Sequence, residues 1–325
     1  MKYHFKRTKK VRFFIFLIRW NMLRKKALNR IYLTTLVLFI MLISFTFDYL
    51  SEEKNTKLQE IEYVANLNTT HIYLLNEDNY LVKVDILLNK KDVVETAREI
   101  LNNLSVNNKK YNNLKGIIPS NTKINDIKYE NNIITVDFSS DLLKVNSYLE
   151  EKVIESIVYS LLEIEGVRNV IIKINGENLE TLEKSNKKLP ILLNETFGIN
   201  KTYDIKSLKD TKKVVLYYVF NNEDNDYFVP VTKYLNSKDD KVKIIIDSLQ
   251  GNYFSNTNLS SYLNKKTNIN FTLDEDILTF TFESLNEENL ESVTYSLASS
   301  VFDSMDVTKV IFEVDNKIVD VRTKS

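Results

Sequence analysis

The sequence predicts an α+β protein: two tandem modules, each a mixed β-sheet with two helices on one face, after an N-terminal transmembrane helix. Three observations predict it. An uncharged apolar run near the N-terminus separates basic from acidic flanks. Beyond it the hydrophobic pattern repeats at a spacing of about 140 residues. Within each repeat, period-two segments alternate with segments of helical period. At 325 residues, 43% apolar and 11% aromatic, the chain can fill two cores, and five Gly and three Pro are too few for Gly-rich phosphate loops.

Residues 1–30 hold eleven Lys and Arg and no acid, which predicts a basic cytoplasmic tail. The short apolar stretch Phe13 to Ile18, beside Trp20, cannot cross a bilayer. It either lies along inner headgroups or belongs to a disordered basic tail.

Residues 31–47, IYLTTLVLFIMLISFTF, carry no charge. At about 1.5 Å per residue they just span a hydrocarbon core of about 30 Å. Arg24, Lys25, Lys26 and Arg30 precede them and Asp48, Glu52 and Glu53 follow, so the C-terminal domains are expected outside a cell membrane crossed once. A buried core helix and a cleaved signal peptide are the competing readings. No small-residue cleavage pattern follows, which favours an uncleaved signal anchor. With no Cys, the chain has no disulfide, thiolate metal site, thiol nucleophile or lipoprotein lipid acceptor.

Residues 48–70 read as a stem in which Leu58, Ile61, Val64 and Leu67 recur every third residue. From residue 31 onward 33 basic residues face 44 acidic ones, so nucleic acid is not an expected partner.

The first module is expected over residues 71–178, a linker over 179–212 and the second module over 213–321. Asn76-Glu77-Asp78, then Tyr80, Val82, Val84 and Leu88, matches Asn222-Glu223-Asp224, then Tyr227, Val229, Val231 and Leu235, a hairpin signature in both copies. Val94, Ala97 and Leu101 match Val242, Ile245 and Leu249 as one buried helix face. Ile134, Val136 and Phe138 match Leu278, Phe280 and Phe282 as a half-covered strand.

Ile154, Ile157 and Leu161 align with Leu290, Val293 and Leu297 at an offset of 136 residues, supported by Tyr159-Ser160-Leu161 against Tyr295-Ser296-Leu297. A closing strand pairs Val170, Ile171, Ile172 and Ile174 with Val310, Ile311, Phe312 and Val314. In the linker, Leu189-Pro190-Ile191-Leu192-Leu193 is expected to pack back on a module.

These residues resemble the GerMN domain of bacterial sporulation, germination and cell-envelope proteins, in two copies over about residues 70–320. The resemblance rests on Pro119 within Ile117 to Lys123, on Val136, Asp137, Phe138 and Ser139, on Gly166 within Glu165 to Val170, on Gly176, and on Tyr227, Val229 and Pro230 of the second copy. The second copy departs with Leu263 at the place of Pro119, and with Thr281 and Glu283 at those of Asp137 and Ser139. The family's similarity to ring-building motifs implies a structural, non-catalytic scaffold that assembles into a homo-oligomer or with envelope-complex proteins.

Catalytic and cofactor groups are scarce. His71 is the only imidazole beyond the tail and reads as a polar residue at a module edge. The acidic runs Asp274 to Asp276, Glu287-Glu288 and Asn222 to Asp226 could coordinate a hard cation but read better as solvated turns, the last resembling a calcium loop without its central Gly and distal Glu. Tyr159 and Tyr295 read as packing residues whose hydroxyls reach the surface. No catalytic, metal or cofactor residues, no cofactor and no small-molecule substrate are therefore expected. Binding of cell-wall glycan or a signalling partner is the alternative, and a glycan hydrolase would need a cleft holding two close carboxylates.

Overall fold

A computed structural model describes residues 67–324, apart from 90–91, 108–110, 112, 223–224, 252–256, 258, 264 and 266, together with Tyr32, Thr35, Leu36 and Leu38. The expected basic tail, most of the anchor and nearly all of the stem lie outside the described residues. The four residues of the anchor that are described are helical and exposed. Among the described residues no helix is long and apolar enough to cross a membrane. Residues 68–325 form one compact unit.

In chain order the first copy contains β1 (Leu67–Leu75), β2 (Leu81–Asn89), α1 (Val93–Asn103), β3 (Ile124–Glu130), β4 (Ile133–Phe138), α2 (Glu150–Leu162), β5 (Asn169–Ile174) and β6 (Glu177–Asn178). The connection contributes β7 (Thr202–Asp204). The second copy contains β8 (Thr211–Asn222), β9 (Asn225–Asn236), α3 (Lys241–Leu249), β10 (Leu259–Ser260), β11 (Ile269–Asp274), β12 (Ile277–Phe282), α4 (Leu290–Phe302), β13 (Lys309–Val314) and β14 (Lys317–Thr323). Short 3-10 turns precede α2 and α4.

The duplication is visible in register. Sheet β3-β4-β5-β6 and sheet β11-β12-β13-β14 share one order and one pattern of antiparallel, parallel and antiparallel pairing. Val136 faces Ile172 in one as Phe280 faces Phe312 in the other. The period-two burial arises because Ile134, Val136 and Phe138, like Leu278, Phe280 and Phe282, point into the core. Asp92 and Asp240 cap α1 and α3 by accepting from the third following N–H, Glu95 and Lys243.

Two expectations are corrected. Each module was expected to hold a single sheet, but its hairpin leaves that sheet. Strands β1-β2-β9-β8-β10 run across both copies as one sheet, with β7 paired to β9. Lys83 of β2 stands opposite Phe228 of β9, antiparallel. Because Val82 and Val229 are counterparts, the same strand of each copy makes the join, an isologous contact inside one chain.

The second correction concerns helix alignment. Helices α2 and α4 have 13 residues each and start at Glu150 and Leu290, and the strands after them start at Asn169 and Lys309. The offset is thus 140 residues for helix and strand alike. Matching the two Tyr-Ser-Leu triplets displaced the helices by about one turn. True counterparts include Ser160 with Ser300 and Glu163 with Asp303.

The linker packs back through Leu189 and Leu193, both buried, and Leu193 bridges Val170, while Ile191 and Leu192 stay exposed.

Candidate functional site

Joining the two hairpins creates what neither module has alone. A cleft of about 630 Å³ lies over the shared sheet between α2, α4 and the end of β14. Its floor carries His71, Tyr73 and Lys83 from the first copy and Val215 and Tyr217 from the second.

Serines fix the helices to the sheet. β1 is an edge strand and β10 covers only part of β8, so backbone groups at Tyr73 and Tyr217 lack ladder partners. Tyr73 N donates to Ser160 Oγ at 3.0 Å, and Tyr217 N donates to Ser300 Oγ at 2.9 Å. Ser156 Oγ also donates to the Tyr73 carbonyl at 2.7 Å.

Each helix then presents a carboxyl group to a tyrosine. Tyr73 Oη donates to Glu163 at 2.7 Å, and Tyr217 Oη donates to Asp303 at 2.7 Å. Burial, aided by these carboxylates, pushes both phenols well above their usual range.

The two halves differ in charge. Glu163 Oε1 also takes Lys83 Nζ at 3.0 Å, and its Oε2 lies 2.8 Å from His71 Nδ1, while His71 Nε2 is 3.1 Å from Asp85. Burial alone would raise the Glu163 carboxyl, but its bond to His71, the Lys83 charge and the Tyr73 hydroxyl outweigh it and hold it down to about 2. Burial would lower the Lys83 ammonium, yet Glu163 raises it. At Asp303 burial dominates and raises the carboxyl, opposed by the Tyr217 bond and by Lys83. His71, expected at a module edge, is instead half-buried between two carboxylates.

Tyr159 and Tyr295, expected to reach the surface, line the cleft. Tyr159 packs edge-on against Tyr73 and Tyr295 edge-on against Tyr217, with ring centroids 5.7 and 6.2 Å apart. Tyr159 Oη donates to the Glu195 carbonyl at 3.0 Å.

A second polar cluster locks the join. Pro230 has no N–H, so Asn200 bridges the gap between β2 and β9. Asn200 Oδ1 accepts from Leu81 N at 2.9 Å, and its Nδ2 donates to the carbonyls of Leu81 and Pro230, both at 2.8 Å. Asn200 N donates to Glu155 Oε2 at 3.0 Å, and buried Glu155 also pairs with Lys201 at 3.3 Å and Lys152 at 3.4 Å.

The residues that carried the resemblance are structural in their placement. Val136, Phe138 and Val229 are buried core residues. Asp137 accepts from Gly176 N at 2.9 Å, and Ser139 Oγ from Lys123 N at 3.0 Å. Gly166 and Gly176 have φ of +87° and +89°, which a side chain would strain. The Pro119 carbonyl accepts from Thr122 N in a turn, and Tyr227 packs against the core. Of this set Tyr227, Val229 and Pro230 lie on β9, the strand that joins the copies, and Pro230 sits at the Asn200 bridge.

Sequence reasoning missed Tyr73, Lys83, Glu163, Tyr217 and Asp303. The signal was the recurrence of Tyr73 at Tyr217 and of Glu163 at Asp303, which the slipped helix alignment hid. The described residues of the acidic runs are not among those lining the cleft. Asp226 accepts from Asn221 Nδ2 at 2.7 Å and Asp276 accepts from Thr308. Among the described residues no group of three or more His, Asp or Glu could hold a metal ion.

Comparison with known proteins agrees with this architecture. The family model described as "Germane: Sporulation and spore germination" matches residues 71–180. The spore germination protein GerM of Bacillus subtilis is 27% identical over 206 residues, 61% of this chain and 56% of its own length. The chain thus spans little more than half of that relative. The solved tandem GerMN domains of the same organism's sporulation protein GerM align with 77% of this chain and 92% of their own, at a TM-score of 0.67 and 22% identity. Residues 71–180 thus match the Germane family, and the chain is similar to GerM and has the fold of two tandem GerMN domains.

Proposed function

We propose that the chain is a membrane-anchored extracytoplasmic scaffold or interaction protein of the bacterial cell envelope, acting in sporulation or germination. It would self-associate through its α/β modules, as ring-building motifs do, and carry out no catalysis. The process is suggested by the names of its relatives, and the anchor by residues 31–47 and their flanking charges.

One observation carries the assembling role. β14 ends its sheet with no partner strand on its outer side among the described residues, and Ile318 and Val321 on it are 61% and 44% exposed. A seven-residue edge with exposed apolar side chains is a template for pairing with another subunit. The full-length chain in detergent is expected to exceed monomer mass by light scattering, and Ile318→Lys to shift it toward monomer. A strict monomer at high concentration would sink the assembly reading.

A second reading, a glycan hydrolase, has one observation in its favour: Glu163 and Asp303 share a cleft and their carboxyls are driven in opposite directions. Both oxygens of Glu163 are already occupied, which leaves it poorly placed to activate water. The full-length chain is expected to release no soluble fragments from purified cell-wall glycan. Release that Asp303→Asn abolishes would establish the hydrolase instead.

A further inference from the structure

The duplicated cleft contains its own control. In the first half, the Tyr–carboxylate pair of Tyr73 and Glu163 is completed by two basic groups of the chain, Lys83 and His71. In the second half, the equivalent pair of Tyr217 and Asp303 has no ion-pairing basic group among the described residues, and Lys83 acts on it only from farther away. The counterpart of His71 is Val215, 144 residues on as Tyr217 is from Tyr73, and the counterpart of Lys83 is Pro230. Asp303 forms no ion pair within 4 Å among the described residues, although it remains accessible from the cleft.

The cations nearby are engaged elsewhere. Lys83 is held by Glu163, Arg322 by Asp320 at 2.8 Å and Thr294 at 3.1 Å, and Lys324 by the Phe302 carbonyl at 2.8 Å. Lys213 donates to the backbone carbonyl of Glu195 at 3.0 Å. The Tyr295 ring already stacks on Phe228, centroids 3.9 Å apart, with the Arg322 guanidinium 5.6 Å over it, so Tyr159 is the aromatic ring of the cleft that an incoming alkylammonium or guanidinium group would meet.

The structure assigns to this cleft a binding site for a basic side chain, the ammonium of a lysine or the guanidinium of an arginine of a partner protein, seated on Asp303. The ligand supplies to the second half what Lys83 supplies to the first. A bare metal ion is disfavoured, because no cluster of three suitable ligands exists among the described residues. At about 630 Å³ the cleft has room for a short peptide segment around the bound side chain.

This assignment rests on the interaction-protein reading and names its partner's chemistry. Ligand-observed NMR on the full-length chain in detergent would test it with Nα-acetyl-lysine methylamide, Nα-acetyl-arginine methylamide and neutral Nα-acetyl-norleucine methylamide. Both cationic probes are expected to bind with Kd near about 1 mM, and the neutral probe not to bind. Asp303→Asn is expected to weaken binding at least about tenfold.

Ser299→Lys, four residues before Asp303 on α4, supplies the cation internally and is expected to abolish binding even if Asp303→Asn folds poorly. Equal binding of the neutral probe, no binding of either cationic probe, or unchanged binding in Ser299→Lys would each overturn the site. Particle mass by light scattering reports separately on assembly, so failure here is distinguishable from failure of the scaffold reading.

Discussion

Glu155→Ala is expected to destabilise the folded chain by about 3 kcal/mol, because it strips a buried carboxylate from Asn200 N, Lys152 and Lys201, while Lys201 keeps Glu151 at 2.8 Å. Glu155 and Lys201 are both nearly inaccessible, with side chains 2% and 6% exposed. The same carboxylate accepts from the N–H of Asn200, whose amide bridges β2 and β9. Loss of Glu155 therefore strikes the place where Asn200 cross-links the hairpins of the two copies around the missing Pro230 donor.

The effect has a signature beyond its size. If the continuous sheet couples the copies, the native chain melts in one calorimetric transition. The variant is expected to show two, as each module retains its own four-stranded sheet. Asn200→Ala should reproduce the splitting with a smaller loss of about 1–3 kcal/mol, from buried polar groups left unpaired. A single transition in both variants would mean that the copies are coupled through something other than this join.

What the sequence made legible was the part governed by local periodicity. Alternation in Ile134-Thr135-Val136-Asp137-Phe138 and its counterpart marks a strand because one face must be buried, and no distant partner is needed to see it. The Asp92 and Asp240 caps are local in the same way. Pairing between edges is not local. Nothing in Val82 or Val229 records that β2 will join β9 instead of its own module's sheet, since edge strands expose the same N–H and C=O groups whatever covers them.

The cleft was invisible for that reason, because it exists only where the copies meet. Its residues were hidden further by a chance recurrence. Tyr-Ser-Leu occurs once in α2 and once in α4, one turn out of step, and helical periodicity tolerates such a slip because residues four apart share a face. The buried serines break that tie: only the offset of 140 residues places both Ser160 and Ser300 on the backbone of equivalent tyrosines.

Acidification should expose the charge asymmetry of the cleft directly. Glu163 is held down to about 2 in the folded chain from an ordinary value of 4.5, so the folded state binds its proton less readily than the unfolded state. A depressed carboxyl contributes stability that is fully present above the unfolded value and is lost as pH falls through the folded one. The window therefore runs from about pH 5 down to about pH 2, and the loss at stake is about 3 kcal/mol at roughly 1.4 kcal/mol per pKa unit.

Asp303 acts with the opposite sign, since its carboxyl is raised: the folded state takes up that proton first, which offsets part of the loss in the upper end of the window. Glu163→Gln removes the larger contribution. Its denaturant-unfolding free energy is expected to fall well below that of the native chain at pH 7 and to change less between pH 5 and pH 2. Parallel pH profiles for the two proteins would mean that Lys83 and His71 do not hold Glu163 ionised, and the contrast between a satisfied and an unsatisfied carboxylate across the cleft would go with it.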